Sequence, residues 1–447
     1  MSDHPALTRK RPYGLDIEGI RRGFYSDVYF ENVVRILEQL QRQKTVYQGD
    51  FPRIRPSQPL LIGDLIVEVQ VFNRRAPHAL IAGMPAALAV LRHAVGYWDG
   101  DQFIETWPDV EVEAVADGTI TLYDQNPLNV CPVLKMRGRY RDFALLETVL
   151  LGILTRASRI ATHVYDTIQA ANGKPVLFFP ARFDLPDVQA LDGYAYSVAV
   201  TAYNAAFNKQ MPTQVSTAAQ ASWWGGRASG TIPHALIAAF LGDTAAAMIA
   251  YAEHIPLDSP RIVLADFNND VIGDSLRTMR AFWERYSAAY RQQDADAMRR
   301  WTLHGVRIDT SPTVRDQAMA EGEPAGISPL LVRRVRAALD SAHTAWQVPD
   351  DLHDAAVAFC QGVKIVATGG FNRERITAYE AENVPVDVYG VGSRFLRNDS
   401  ETNTDFTMDI VRVKVDGAWV DMAKTGRRGN MNPDLHPVDL GQVEDVV

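Results

Sequence analysis

The chain has 447 residues, 47% of them hydrophobic and 22% charged, with a formal charge of −9. That length supports two or three domains, or one large barrel with an added domain, and a core that needs no covalent staple. The acidic balance disfavours a nucleic-acid surface and leaves room for local basic clusters that hold small anions.

The N-terminal stretch MSDHPALTRKRPYG has no apolar signal core. No apolar run is long enough to cross a bilayer. Cys131 and Cys360 are far apart and make no metal-ligand spacing, which predicts reduced buried thiols. Together these features predict a soluble cytoplasmic protein with neither a nucleic-acid nor a membrane partner.

Residues 19–44 end in a helix, because Val33, Val34, Ile36, Leu37 and Leu40 recur at helical spacing. LLIGDLIVEVQVF, residues 60–72, alternates with the period of a half-buried strand. VEVEAVADG and TITLYDQ predict a hairpin around Asp117-Gly118. Residues 1–144 therefore read as an α+β domain rich in antiparallel strands.

From Leu145 the rhythm changes. LLETVLLGILTRASRIATHVYDTIQAA is helical and stops at Asn172-Gly173. Short apolar runs then alternate with helical stretches: KPVLFF at 174, PRIVLADF at 260, GVRIDT at 305, VKIVATGG at 363 and VDVYGVGS at 386. Such runs joined by helices predict a parallel sheet, as a β/α barrel or a doubly wound sheet, over residues 145–404. FTMDIVRVKVDGAWVDMAK returns to strand alternation, so residues 405–447 are expected to complete a discontinuous N-terminal domain.

Parallel α/β folds bind ligands beyond the C-terminal ends of their strands. GVRIDTS ends there with Arg307, Asp309 and Thr310, VATGGFN with Gly369 and Gly370, and YGVGSRF with Gly390, Gly392, Ser393 and Arg394. Glycine turns after strands let backbone N–H groups converge on an anion, and Arg394 can add a charge-assisted fork. Tight turns need glycine in any case, so each pair alone fits either role. Asp266, Asn269 and Asp270 end another strand, where they could hold Mg²⁺ or sugar hydroxyls, or simply cap the next helix. In GTIPHALIAAF, His234 lies just behind Pro233 at a helix start that runs to Gly242. Its field favours a neutral, nucleophilic imidazole; capping the helix is the plainer role.

In order, SDVYF, LLETVLLGILTRASRIAT, FFPAR, GTIPHALI, GVRIDT, KIVATGGFN and DVYGVGSRF resemble motifs of nicotinate phosphoribosyltransferases, in the type II phosphoribosyltransferase group. The likeness covers most of the chain. It implies an irregular β/α barrel with a discontinuous α+β N-terminal domain, and a homodimer that shares its active site. The implied reaction joins nicotinate to 5-phosphoribosyl 1-pyrophosphate in NAD biosynthesis, with Mg²⁺ as cofactor and ATP hydrolysis coupled through a phosphorylated histidine. His234 matches that histidine. Phe179 and Arg182 match the aromatic stacked on the pyridine ring and the arginine beside it. Tyr29 matches a second stacking aromatic, given by the other subunit and supported by Asp27. Arg307 and Asp309 match residues around the ribose and base. Thr310, Gly369, Gly370, Gly390, Gly392, Ser393 and Arg394 match the phosphate cradle, and Asp266 a carboxylate near pyrophosphate and Mg²⁺. The chain departs from the family over 196–217, which holds an insertion before Val215-Ser216-Thr217 where the nicotinate pocket and its Ser216 and Thr217 are expected, and at DTSPTV. Quinolinate and nicotinamide are the alternative bases, and a non-catalytic sugar-phosphate-binding barrel the alternative class.

Overall fold

The structure is a computed structural model that describes residues 12–443. Most of MSDHPALTRKRPYG therefore lies outside the described residues. Among the described residues no helix is long and apolar enough to cross a membrane. The chain divides into two compact units. One comprises Asp166–Pro186 and Tyr203–Leu396; the other holds the described residues up to Tyr165, Asp187–Ala202 and those from Arg397 on.

The discontinuous unit is built on a six-stranded antiparallel sheet. Its strands run in the order Ala418–Asp421, Phe406–Val415, Ile66–Asn73, Pro132–Arg139, Glu111–Ala114 and His436–Val438. The C-terminal strands thus complete the N-terminal sheet, as their alternation predicts. One face carries Val67, Val69 and Val71, which pack with Leu91, Leu150 and Leu154 in the core. The other face buries Glu68 and Gln70. Their polar groups are satisfied locally. Glu68 accepts from Arg137 and Arg412, and Gln70 exchanges hydrogen bonds with Arg428 O and Asn430 N at 2.9 Å each.

The helix expected at the end of residues 19–44 forms as Val28–Arg42, preceded by a short one at Ile17–Arg21. Two local expectations change. The strand expected over 60–72 begins at Ile66, after a short 3-10 turn at Ile62–Asp64. The Asp117-Gly118 hairpin does not form. Its first arm pairs inside the large sheet, while Ile120–Leu122 pairs with His78–Leu80. The Asp117 carboxylate accepts instead from the N–H groups of Gly83 and Met84, at 3.2 and 2.9 Å, which open the helix Met84–Ala94.

The other unit holds a five-stranded parallel sheet in the order Val176–Phe178, Val388–Val391, Lys364–Ala367, Gly305–Ile308 and Ile262–Leu264. The first of these strands in the chain lies beside the last, as a curling β/α barrel requires. Parallel bridges from Phe178 to Val215 and from Val215 to Ala228 extend the sheet past its first strand. Cys360 is buried and Cys131 partly buried, and both are free thiols. Burial pushes the Cys360 thiol up to about 11, which makes it inert.

Candidate active site

The strand ends of the parallel unit gather most of the residues singled out by sequence. His234 is the first residue of a short helix, His234–Ala239, with Pro233 just outside it as the N-cap rather than in the first turn. Leu241 and Gly242 adopt positive φ and end it. The imidazole does not cap its own helix. Its Nε2 lies 3.0 Å from Asp266 Oδ1, beyond the end of the strand Ile262–Leu264. His234 is half-exposed, whereas the Asp266 carboxylate is buried. Burial raises the Asp266 pKa, the nearby Asp309 charge adds to the rise, and His234 opposes it. With Asp266 ionised, Nε2 carries the proton and donates it, so Nδ1 keeps the free lone pair. Asn269 and Asp270 take the structural role. Asn269 has positive φ, and Asp270 caps Val271–Gln292 by accepting from Gly273 N at 2.9 Å.

Arg307 and Asp309 meet at the end of the neighbouring strand, Nη2 to Oδ2 at 3.0 Å. Thr368, from the next strand over, bridges them. Its Oγ1 accepts from Arg307 Nε at 2.9 Å and donates to Asp309 Oδ1 at 2.7 Å. The Arg307 guanidinium lies 5.7 Å from the centroid of the Phe179 ring. Thr310 is buried and its hydroxyl has no hydrogen-bond partner among the described residues.

The glycines serve two different physical ends. Gly369 and Gly370 adopt φ of +85° and +72°, a left-handed pair that turns the chain into the helix Arg373–Ala381. Arg375 steadies the turn by donating to Gly369 O at 3.1 Å. Gly390 has no positive φ; it is needed for close approach. A Cβ there would sit 2.5 Å from Thr368 Cγ2 and 3.2 Å from Phe179 Cε2. Gly392 lies beside Phe179 and Phe183, and Ser393 and Arg394 begin the short turn after it. Arg394 is exposed and has no protein partner among the described residues, and Arg182 touches only the Phe183 ring, at 5.3 Å.

Ser216 and Thr217 follow Val215, whose bridge to Phe178 keeps them on this sheet. Thr217 caps the turn Ala218–Ala221 in a reciprocal box with Gln220, and the Ser216 N–H also donates to Gln220 Oε1. Tyr29 and Asp27 belong to the other unit. There Tyr29 donates to Asp27 at 3.2 Å and is exposed, and Asp27 is held by Thr148. Sequence reasoning passed over Thr368 and Arg375. The available signal was a lone hydroxyl ending the apolar run KIVAT, on the same strand face as Val366.

A parallel β/α unit with charged groups at its strand ends and an antiparallel unit completed by the C-terminus make up a fold shared with solved structures. Nicotinate-nucleotide pyrophosphorylase from Pyrococcus furiosus shares it at a TM-score of 0.60 and 24% identity, over 95% of this chain and 85% of that one. Human nicotinic acid phosphoribosyltransferase matches at 0.50 and 17%, over 87% of this chain and 74% of that one. Residues 27–158 match the sequence profile of the quinolinate phosphoribosyl transferase N-terminal domain. Residues 27–158 thus carry the likeness to the quinolinate phosphoribosyl transferase N-terminal domain, and the chain as a whole shares the fold of these two structures.

Proposed function

We propose that this chain is a nicotinate phosphoribosyltransferase that makes nicotinate mononucleotide and pyrophosphate from 5-phosphoribosyl 1-pyrophosphate, with coupled ATP hydrolysis. One observation carries the reading. The His234–Asp266 pair and the Arg307–Thr368–Asp309 cluster stand at the same ends of adjacent parallel strands, with the Phe179 ring against Arg307.

The flat pyridine ring stacks on Phe179, and Arg182 takes its carboxylate. Tyr29 of a second subunit supplies the other aromatic face. The exposure of Phe24, Val28 and Tyr29, at 79%, 65% and 58%, supports a homodimer that covers them. The turns at Gly369-Gly370 and Gly392-Ser393 hold the ribose 5-phosphate, with the Thr310 hydroxyl and Arg394 as further donors. The ribose C1 passes through an oxocarbenium-like state as pyrophosphate leaves, and the paired Arg307 and Asp309 orient the sugar in a cleft that limits water. His234 Nδ1 takes a phosphoryl group from ATP, which places a dianion beside the site and changes substrate affinity.

No cluster of three or more His, Cys, Asp or Glu side chains forms a metal cage among the described residues. Asp266 and Asp309 nevertheless suit Mg²⁺ in the way it is usually held, by one or two carboxylates together with substrate phosphates. The raised pKa of Asp266 fits this, since a cation would relieve the repulsion from Asp309. When bound, Mg²⁺ neutralises charge on the departing pyrophosphate.

Quinolinate is the second reading, favoured by the profile that matches residues 27–158. Its additional carboxylate needs an additional cation. Arg307 is already committed to Asp309, which leaves Arg182, packed on the Phe183 ring, as the uncommitted cation of FFPAR and favours a mono-acid. The test is mass analysis of products from nicotinate or quinolinate with the phosphoribosyl donor and Mg²⁺, with and without ATP. Nicotinate mononucleotide, increased by ATP, is expected. Turnover of quinolinate alone would overturn the substrate, and no pyrophosphate from any pyridine acid would overturn the enzyme reading.

A further inference from the structure

The parallel-stranded unit has a second concavity, at the opposite ends of the strands from His234 and Arg394. It is a cavity of about 700 Å³, a size common for small-molecule pockets. Pro175, Ile262, His304, Lys364 and Val388 line it, and each stands at or just before the start of a strand. Its deepest lining residue along the sheet is Val366. Val366 lies two residues before Thr368 on one strand face, about 7 Å from the active-site bridge at 3.3 Å per residue.

The outer wall is aromatic. Tyr286 stacks with Tyr290 at 6.2 Å and packs against Phe359 at 5.2 Å. The polar groups are few and of defined sign. His304 Nδ1 accepts the Arg261 N–H at 3.1 Å, so the ring hydrogen is on Nε2. His304 is solvent-exposed at its edge, and partial desolvation with the positive charges of Arg261 and Lys364 pushes its pKa down, which favours the neutral ring. Lys364 is exposed and its ammonium has no partner among the described residues. Asp354 is the acidic residue of the lining; it sits exposed at the start of the helix His353–Gln361. A phosphate dianion is usually gripped by several backbone N–H groups or by arginine forks, and this lining offers neither. One cation with one neutral N–H donor matches a single carboxylate, and the tyrosine and phenylalanine faces match a flat ring.

We propose that this mouth is a second binding site, separate from the phosphoribosyl site, for a small planar aromatic monocarboxylate. Lys364 and His304 Nε2–H hold the carboxylate, and the ring lies against Tyr286 and Phe359. The probe is 2-naphthoate, titrated calorimetrically into the full chain. One site per chain with a Kd of about 0.1–1 mM is expected, from the affinity usual for a ligand of that size. Asp309→Asn at the active site leaves this binding unchanged. Lys364→Met weakens it about tenfold, and Ala358→Trp, which fills the cavity from its helix wall, abolishes it. If Ala358→Trp fails to fold, Lys364→Met decides alone. The proposal is overturned by no binding at about 10 mM, by loss of binding in Arg182→Ala at the phosphoribosyl site, by undiminished binding to Lys364→Met, or by equal binding of the neutral 2-naphthamide.

Discussion

Replacing Thr368 with valine tests whether it sets the geometry of Arg307 and Asp309, the pair proposed to orient the sugar. The change keeps shape and removes one hydroxyl. Thr368 is 2% exposed, and its hydroxyl accepts from Arg307 Nε at 2.9 Å and donates chiefly to Asp309 Oδ1 at 2.7 Å, with Ile308 O as a second acceptor at 3.3 Å. An unpaired buried polar group costs about 1–3 kcal/mol, and more when it is charged. Arg307 and Asp309 keep their own ion pair and are 20% and 21% exposed, so water and the pair recover part of that loss. A net loss of about 1–2 kcal/mol in stability follows from these terms. The Arg307–Asp309 pair would also be freer to rotate. At 1.36 kcal/mol per tenfold, losing about 1.5–3 kcal/mol of orientation lowers kcat/KM by about 10- to 100-fold. Thr368→Ser is the control, because it keeps the hydroxyl and loses only the methyl packed beside Gly390. Steady-state kinetics and urea melts of both variants separate the effects. Valine and serine variants with the same kcat/KM, both folded, would refute the positioning role.

Glu147 gives a pH-dependent outcome in the N-terminal unit. Burial and the charges of Asp409 and Asp27 push its carboxyl up to about 7. The folded state therefore binds a proton that the unfolded chain, near pH 4.5, has already released. Stability should fall by about 1–3 kcal/mol as pH rises from 4.5 to 7, and Glu147→Gln should flatten that slope in urea midpoints taken across the window. An unchanged slope in the variant would assign the effect elsewhere. Gly390→Ala forces a Cβ to within 2.5 Å of Thr368 Cγ2, so a loss of about 1–3 kcal/mol in thermal or urea melts is expected. His234→Ala should retain transferase turnover and lose the increase produced by ATP, read from product formed with and without ATP. Arg394→Ala should raise the KM for the phosphoribosyl donor by about tenfold before it alters pyridine binding, and an unmoved donor KM would remove Arg394 from the phosphate cradle.

What the sequence made legible was local chemistry tied to strand ends. Gly369-Gly370 is readable because only glycine turns so tightly after a strand, and Asp309 because a carboxylate closing an apolar run has few other uses. His234 was open between cap and catalytic residue. What sets the cap aside is Asp266, which lies 32 residues along and meets the ring only in the folded chain. Thr368 was hidden for the same reason, since a threonine ending a strand is unremarkable until Arg307 and Asp309 arrive from the neighbouring one. The failed hairpin runs the other way. Asp-Gly is a strong local turn signal, yet pairing of 120–122 with 78–80 and capping at Gly83 and Met84 outweighed it. The expected roles of Ser216 and Thr217 meet a similar limit, as both hydrogen-bond Gln220.

The arginines at the strand ends divide by their partners, and that division assigns their work. Arg307 is neutralised by Asp309 and fixed by Thr368, so it adds little net potential to draw an anion in, but it presents a rigid, directed surface. Arg182 and Arg394 are exposed, and among the described residues neither is paired with a carboxylate. An unpaired guanidinium keeps its full charge for an incoming phosphate or carboxylate and has no ion pair to give up on binding. Affinity for anionic substrates should therefore reside with the free arginines, and orientation of the reacting sugar with the paired one. Removing Arg394 should accordingly act on KM, whereas loosening Arg307 through Thr368 should act on kcat.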